Sequence, residues 1–188
     1  MHKSSLKSAE AAKIAARQRV AILGLGLMGG SLGLALRRMP NAPTVCGYAR
    51  RAATRKLAVK IGAVDEVFAT PQDAVRLADI VVICTPVLSI PVLAKACIPA
   101  LLPTAIVTDV GSTKAQLTSQ MASLHVRFIG SHPIAGSEAS GLEASRADLY
   151  SGTVVILTPP GAVDRRAMAC LSAMWRSVGA RTITIPAR

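Results

Sequence analysis

The sequence predicts an α/β fold built on a doubly wound, mostly parallel sheet, and three observations carry that expectation. From Arg19 onward, short β-branched apolar runs alternate with amphipathic helical stretches, the pattern of a sheet covered on both faces. The residues are 51% hydrophobic but only 3% aromatic, so a core of Ala, Val, Leu and Ile is expected, which suits layers of helix on sheet. The first apolar run leads directly into Gly24, Gly26 and Gly29, a GxGxxG spacing at the mouth of a helix. A chain of 188 residues fits one medium domain, placed at 19–188 behind a basic tail at 1–18.

The tail, MHKSSLKSAEAAKIAARQ, lacks the apolar segment of a secretory signal. It reads as a loose tail or short helix, with an organellar transit peptide as the minority reading because it is basic and Ser-rich. Val20 to Gly24 is the first strand and Met28 to Arg38 the helix that follows. The same alternation gives further strands at Thr44 to Tyr48, Ile80 to Thr85, Ala105 to Asp109, Val126 to Ile129, Thr153 to Leu157 and Thr182 to Ile185. Helices are expected at Ala52 to Ile61, Pro71 to Leu77, Ile90 to Leu101, Thr113 to Leu124 and Asp164 to Val178.

Ile80 to Thr108 carries Lys95 as its single charge and raises the question of a membrane span. Pro86, Pro91, Pro99 and Pro103 interrupt it, and the uncharged run before Lys95 is shorter than the roughly 18 to 20 residues a spanning helix needs. It reads as buried strand, helix, buried strand, and no membrane partner is expected. The mean hydropathy of +0.44 is nevertheless high and points to a surface covered by something else.

The net charge of +12, from 22 Lys plus Arg against 10 Asp plus Glu, attracts anions. Nucleic acid is not the expected partner, because the basic residues are scattered, no aromatic residues interleave them and no nucleic-acid module is present. A phosphorylated cofactor and a carboxylate substrate account better for the charge. Cys46, Cys84, Cys97 and Cys170 form no CxxC pair, so neither a metal site nor a disulfide framework is expected, and a reduced cytoplasm fits.

The glycine motif has a physical reading as a Rossmann turn. Gly24 permits the tight turn, Gly26 lets the backbone approach a pyrophosphate, and Gly29 lets helix and strand pack closely, while Leu27 and Met28 open the helix whose N-terminus faces the phosphates. The alternative is a strand-to-helix turn with no ligand. At the end of the second strand Ala49 stands where an NAD-preferring fold carries Asp or Glu, and Arg50 and Arg51 follow. An Arg there can pair with a 2′-phosphate, so NADP is expected over NAD, although arginines merely solvated at a helix start would look the same. Thr85 and Pro86 end one strand, and Asp109, Gly111 and Ser112 follow another, at the carboxyl edge where such sheets bind ligands. Thr85, Pro86 and Ser112 belong beside the nicotinamide half, and Gly111 is also expected to bind the cofactor; Asp109 reads equally as a general base or as a loop organiser.

Chemistry is best read from GSHPIAGSEASG, Gly130 to Gly141. His132 follows a predicted strand at the same edge, and a neutral imidazole is a natural acceptor for the proton of a hydroxyl being oxidised. A lone histidine is more often structural, but Ser131, Ser137 and Glu138 cluster polar groups around this one, and Pro133 and Gly136 limit a regular packing role.

With GLGLMGGSLGLAL, GAVDEV, ADIVVICTPV, TDVGSTK, HPIAGSE and Leu149-Tyr150 in place, the sequence resembles the prephenate/arogenate dehydrogenase family of tyrosine biosynthesis over about Arg19 to Arg188. The resemblance implies NAD(P)-dependent oxidative decarboxylation of a cyclohexadienol. It implies that His132 accepts the hydroxyl proton, that Ser112 bonds the substrate hydroxyl, and that Glu138, with Ser137 beside it, organises the pocket mouth. Members of the family continue into a helical domain that dimerises and completes the substrate pocket, and this sequence stops where that domain begins. A homodimer is therefore expected only with that domain. A non-catalytic or truncated dinucleotide-binding module that needs a partner domain is the alternative function; a β-hydroxyacid dehydrogenase shares the GLGxMG opening but not HPIAGSE.

Overall fold

A computed structural model describes residues 18–136, 138–161 and 164–186. The expected tail therefore lies almost wholly outside the described residues. Five parallel strands, β1 (Arg19–Leu23), β2 (Thr44–Tyr48), β3 (Glu66–Phe68), β4 (Ile80–Ile83) and β5 (Ile106–Asp109), form a sheet of order β3-β2-β1-β4-β5. Its helices are α1 (Leu27–Arg37), α2 (Ala52–Lys60), α3 (Pro71–Val75), α4 (Ile90–Cys97) and α5 (Ala115–Ala122). A second sheet joins β6 (Gly130–Pro133), antiparallel, to β7 (Val154–Thr158), and β7, parallel, to β8 (Arg181–Thr184), with α6 (Arg165–Ser177) between β7 and β8 in the chain.

β1 and β4 are apolar at every position after Arg19 because both faces of the sheet are covered. Alternate residues feed two cores: Val20, Ile22, Ile80 and Val82 pack with Leu32 and Leu36 of α1, whereas Ala21, Leu23, Val81 and Ile83 pack with Ile90 and Ala94 of α4 and Leu117 of α5. The α1 core runs on without a break into Val155 and Leu157 of β7 and Leu171 and Trp175 of α6, so one apolar cluster serves both sheets.

Several boundaries move for identifiable reasons. β3, which the sequence pattern did not reveal, is a three-residue strand paired only with β2. The predicted strand Val126 to Ile129 is reduced to one bridge, Phe128 with Val107, because the Phe128 amide turns back to the Val126 carbonyl at 2.8 Å. The regular strand begins at Gly130, so His132 sits within β6 rather than after a strand. The long helix predicted from Ile90 closes at Cys97 into a 3-10 turn over Ile98–Ala100, where Pro99 removes a helix donor. α5 starts at Ala115 rather than Thr113. α6 is capped by Asp164, whose carboxylate accepts from the Arg166 and Ala167 amides at 3.0 Å.

Candidate functional site

The glycine turn folds as its spacing demands. Gly24 has φ +104°, a conformation that favours glycine, and a Cβ there would meet the Cys84 carbonyl oxygen at 2.8 Å. A Cβ on Gly29 would lie 2.1 Å from the Gly24 carbonyl oxygen, so this glycine seats α1 against the turn. Gly26 differs: a Cβ on it would meet nothing within 4 Å and would project into open space. Gly26 is also the N-cap of α1, with no side-chain cap and no acidic residue in the first turn, so the amides of Leu27, Met28 and Gly29 open the helix without a capping side chain. Buried Gly29 supports the turn from behind, and the Met28 carbonyl accepts from the Tyr150 hydroxyl at 2.8 Å.

In front of the turn lies a cleft of about 620 Å³. One wall is Gly24, Leu25, Gly26, Tyr48, Ala49, Arg50, Arg51 and Thr54; the other is Cys84, Thr85, Pro86, Leu88, Ser89, Val92, Leu93 and Ala96. Of the residues expected to hold a cofactor, the cleft gathers Gly24, Gly26, Arg50, Arg51, Thr85 and Pro86, with Leu27, Met28 and Gly29 in the adjoining helical turn. Arg50 and Arg51 are exposed, and among the described residues neither guanidinium is engaged in a hydrogen bond or ion pair. Their backbone is braced by Arg55, whose Nη1 donates to the Ala49 and Arg50 carbonyls at 2.8 Å. The Thr85 hydroxyl is buried without a hydrogen-bond partner at the cleft wall. An orphaned hydroxyl, an uncapped helix end and an open Gly26 are what a pyrophosphate-bearing ligand needs, so the residues fit a dinucleotide.

Gly111 does not line the cleft. A Cβ on it would meet Val87 Cγ2 at 2.8 Å, and its amide donates to Asp109 Oδ2 at 2.8 Å, so it is a loop-packing glycine. Asp109 is a loop organiser too. Its side chain is fully buried, Oδ2 also accepts from Lys114 Nζ at 2.5 Å, and Oδ1 accepts from the Ser131 amide at 3.1 Å. Burial pushes the Asp109 carboxyl up, against the pull of Lys114 and the two amides. Burial likewise pushes the Lys114 ammonium down. Three donors converge on the carboxylate, an arrangement that favours its ionised form against the desolvation.

Asp109 thereby ties two predicted site residues to one strand end. Ser112, exposed, belongs to the loop that Gly111 anchors. His132, half-buried, follows Ser131 on β6 and borders a shallow hollow of about 350 Å³ with Pro133, Ile134, Ala135 and Gly136. Burial lowers the His132 pKa, Lys114 pushes it further down and Asp109 opposes, so the neutral ring is favoured near neutrality. Glu138 is exposed and outside this hollow, and Ser137 lies outside the described residues. Ser131 is not part of a polar pocket: its hydroxyl is buried in the core, 2.7 Å from Thr108 Oγ1, and accepts from Trp175 Nε1 at 3.1 Å.

Sequence reasoning missed Lys114, Thr54 and the α4 wall of the cleft. Lys114 had a signal, a lysine five residues past a strand-end aspartate. The α4 wall had another, the unusual run of apolar residues at a helix start, where Leu88 is 90% and Val92 72% exposed. Among the described residues no cluster of His, Cys, Asp and Glu fits a metal ion, and no helix is long and apolar enough to cross a membrane.

Residues 32–184 match the family model of the prephenate dehydrogenase nucleotide-binding domain. The chain belongs to this family. It is 35% identical over 167 residues to a cyclohexadienyl dehydrogenase of Zymomonas mobilis, an alignment covering 87% of this chain and 57% of the relative. The crystal structure of prephenate dehydrogenase from A. aeolicus, in complex with hydroxyphenyl propionate and NAD+, matches with a TM-score of 0.84 at 35% identity, over 90% of this chain and 60% of that one. Synechocystis arogenate dehydrogenase matches with a TM-score of 0.86 at 33% identity over the same shares. The chain therefore spans less than two thirds of the length of these relatives, the part that holds the family's nucleotide-binding domain.

Proposed function

We propose that this chain is the cofactor-binding part of an NADP-linked dehydrogenase that oxidatively decarboxylates prephenate or arogenate in the cytoplasm. The observation that carries the reading is the Asp109 carboxylate, which bonds both the Gly111 amide beside Ser112 and the Ser131 amide beside His132, at the strand edge next to the dinucleotide cleft. A nicotinamide dinucleotide bound there would supply the hydride acceptor. Neutral His132 accepts the proton of the ring hydroxyl, Ser112 hydrogen-bonds that hydroxyl and fixes its direction, and loss of carbon dioxide leaves an aromatic ring. Glu138, on the segment that follows His132 in the chain, organises the mouth of the substrate pocket.

The preference for the 2′-phosphorylated cofactor is supported by Arg50 and Arg51 on the cleft wall and by Ala49 in place of a carboxylate. Calorimetric titration of the chain with NADP and NAD tests it. Replacing Arg50 and Arg51 by Ala should weaken NADP about tenfold or more and leave NAD within about twofold. Equal affinities in the unaltered chain would refute the preference.

A second reading, a dinucleotide-binding module that acts only with a partner domain, is favoured by one feature. His132 stands in register with Ile156 and Ile183, and Ile134 and Ile183 are 53% and 46% exposed, so the sheet face that carries the histidine is apolar and open. Under that reading the chain binds NADP yet shows no turnover, and light scattering reports association when a helical partner is supplied.

A further inference from the structure

The parallel pairing between β5 and the segment before β6 runs through the Val107 amide to the Arg127 carbonyl at 2.9 Å and the Ile129 amide to the Val107 carbonyl at 3.0 Å. Two residues on, β5 reaches its last residue, Asp109. The next amide of that edge, Ser131, bonds the Asp109 side chain. The same carboxylate turns the chain at Gly111, and Lys114 closes the figure: its ammonium reaches Asp109 Oδ2 at 2.5 Å and the Gly111 carbonyl at 2.7 Å. The lysine stem crosses Gly130, where an added Cβ would meet Lys114 Cδ at 3.0 Å. Its side chain is 10% exposed and that of Asp109 is not exposed at all.

From this arrangement we infer that Lys114 is a positioning residue: with Asp109 it forms a buried clasp that holds the loop of Ser112 and the strand of His132 in one fixed relation. The inference rests on the reading of His132 and Ser112 as the reacting pair, but the clasp itself is a matter of geometry. Its position is informative. A buried ion pair is weak as a source of stability, because desolvation offsets the attraction, so the relation this one enforces between loop and strand is its testable consequence. It also acts on the histidine through space, since the charged groups that bear on His132 are Lys114, from the β5–α5 loop, and Asp109, from β5.

The sign of that effect is fixed. Lys114 lowers the His132 pKa more than Asp109 raises it. Removing the lysine charge while Asp109 stays ionised therefore raises it.

The test is nuclear magnetic resonance on the chain as it stands. In the unaltered protein the Ser131 and Gly111 amides should exchange as slowly as the neighbouring β5 amides; fast exchange at either overturns the clasp without any substitution. In Lys114→Met both amides should exchange at least about tenfold faster and the His132 ring should titrate at higher pH, while Lys114→Arg restores much of the protection. NADP affinity should stay within about twofold in both variants, because Lys114 does not line the cleft. Unchanged amide exchange and an unchanged His132 titration in Lys114→Met would overturn the proposal. If instead the clasp behaves as described while His132→Asn retains full turnover, the clasp stands and the reading of His132 as the proton acceptor falls.

Discussion

Gly26 and Gly29 look alike in the motif and should behave oppositely when each is changed to Ala. In Gly29→Ala the new methyl group lies 2.1 Å from the Gly24 carbonyl oxygen where ordinary contact begins near 3.4 Å, so roughly 1.3 Å of separation is missing. The obstacle is backbone at a turn already held by the Gly24 amide bonding the Tyr48 carbonyl at 3.0 Å, so α1 must move instead. Overpacking of this kind costs about 1 to 3 kcal/mol, and nucleotide affinity falls with it because the amides of the first turn are displaced. In Gly26→Ala the methyl meets nothing and φ is −106°, which alanine adopts freely. The loss of a glycine N-cap, a few tenths to about 1 kcal/mol, is offset by the roughly 0.4 to 1 kcal/mol gained by restricting the unfolded chain. Stability should therefore stay within about 0.5 kcal/mol, while NADP affinity falls at least about tenfold because the methyl occupies the space the phosphates need. Urea denaturation and calorimetric titration of the two variants separate the effects. A Gly26→Ala variant that binds NADP normally, or a Gly29→Ala variant as stable as the parent, would refute the division of labour.

Trp175→Phe removes the indole donor to Ser131 and leaves space in a fully buried site, so unfolding in urea should show a loss of roughly 2 to 3 kcal/mol; a change under about 0.5 kcal/mol would mean the network is slack. Because the folded-state pKa of His132 is depressed below 6.5, it contributes stability that is present above pH 6.5 and lost as the pH falls through the lowered value. On the proposed reading the same direction governs the chemistry, since only the neutral ring accepts a proton: the acid limb of kcat/KM for prephenate or arogenate, which reports the free protein, should have its midpoint below 6.5, and a midpoint above 7 would contradict it. His132→Asn should cost about 10²- to 10⁴-fold in kcat and leave NADP titration unchanged.

The parallel sheet was legible because burial on both faces forces continuous apolar strands, and β1 and β4 show that plainly in their residues. β3 was not, since three residues carry too little pattern to stand out. The cofactor turn was legible for a different reason: Gly24 and Gly29 answer steric demands of the turn, Gly26 leaves open space before it, and the spacing encodes all three. Ser131 shows where reading residue by residue fails. Placed beside Ser137 and Glu138 it looked like part of a polar pocket, but β6 begins at Gly130, and in a strand of period two the residue before outward-facing His132 must turn inward. Lys114 was hidden more deeply, because a lysine reads as solvated until the strand it crosses, the one that starts at Gly130, is in place.

The inward turn of Ser131 has a consequence for how the two halves of the site are spaced. Tyr150 bonds the Met28 carbonyl in the first turn of α1, its ring packs on Trp175 with centroids 5.3 Å apart, and the Trp175 indole bonds the Ser131 hydroxyl immediately before His132. Three buried side chains thus connect the helix end that faces the cleft to the strand that carries the histidine. Packed rings and satisfied buried hydrogen bonds have few alternative arrangements, whereas an exposed loop has many. The distance from the first turn of α1 to His132 is therefore set by the core.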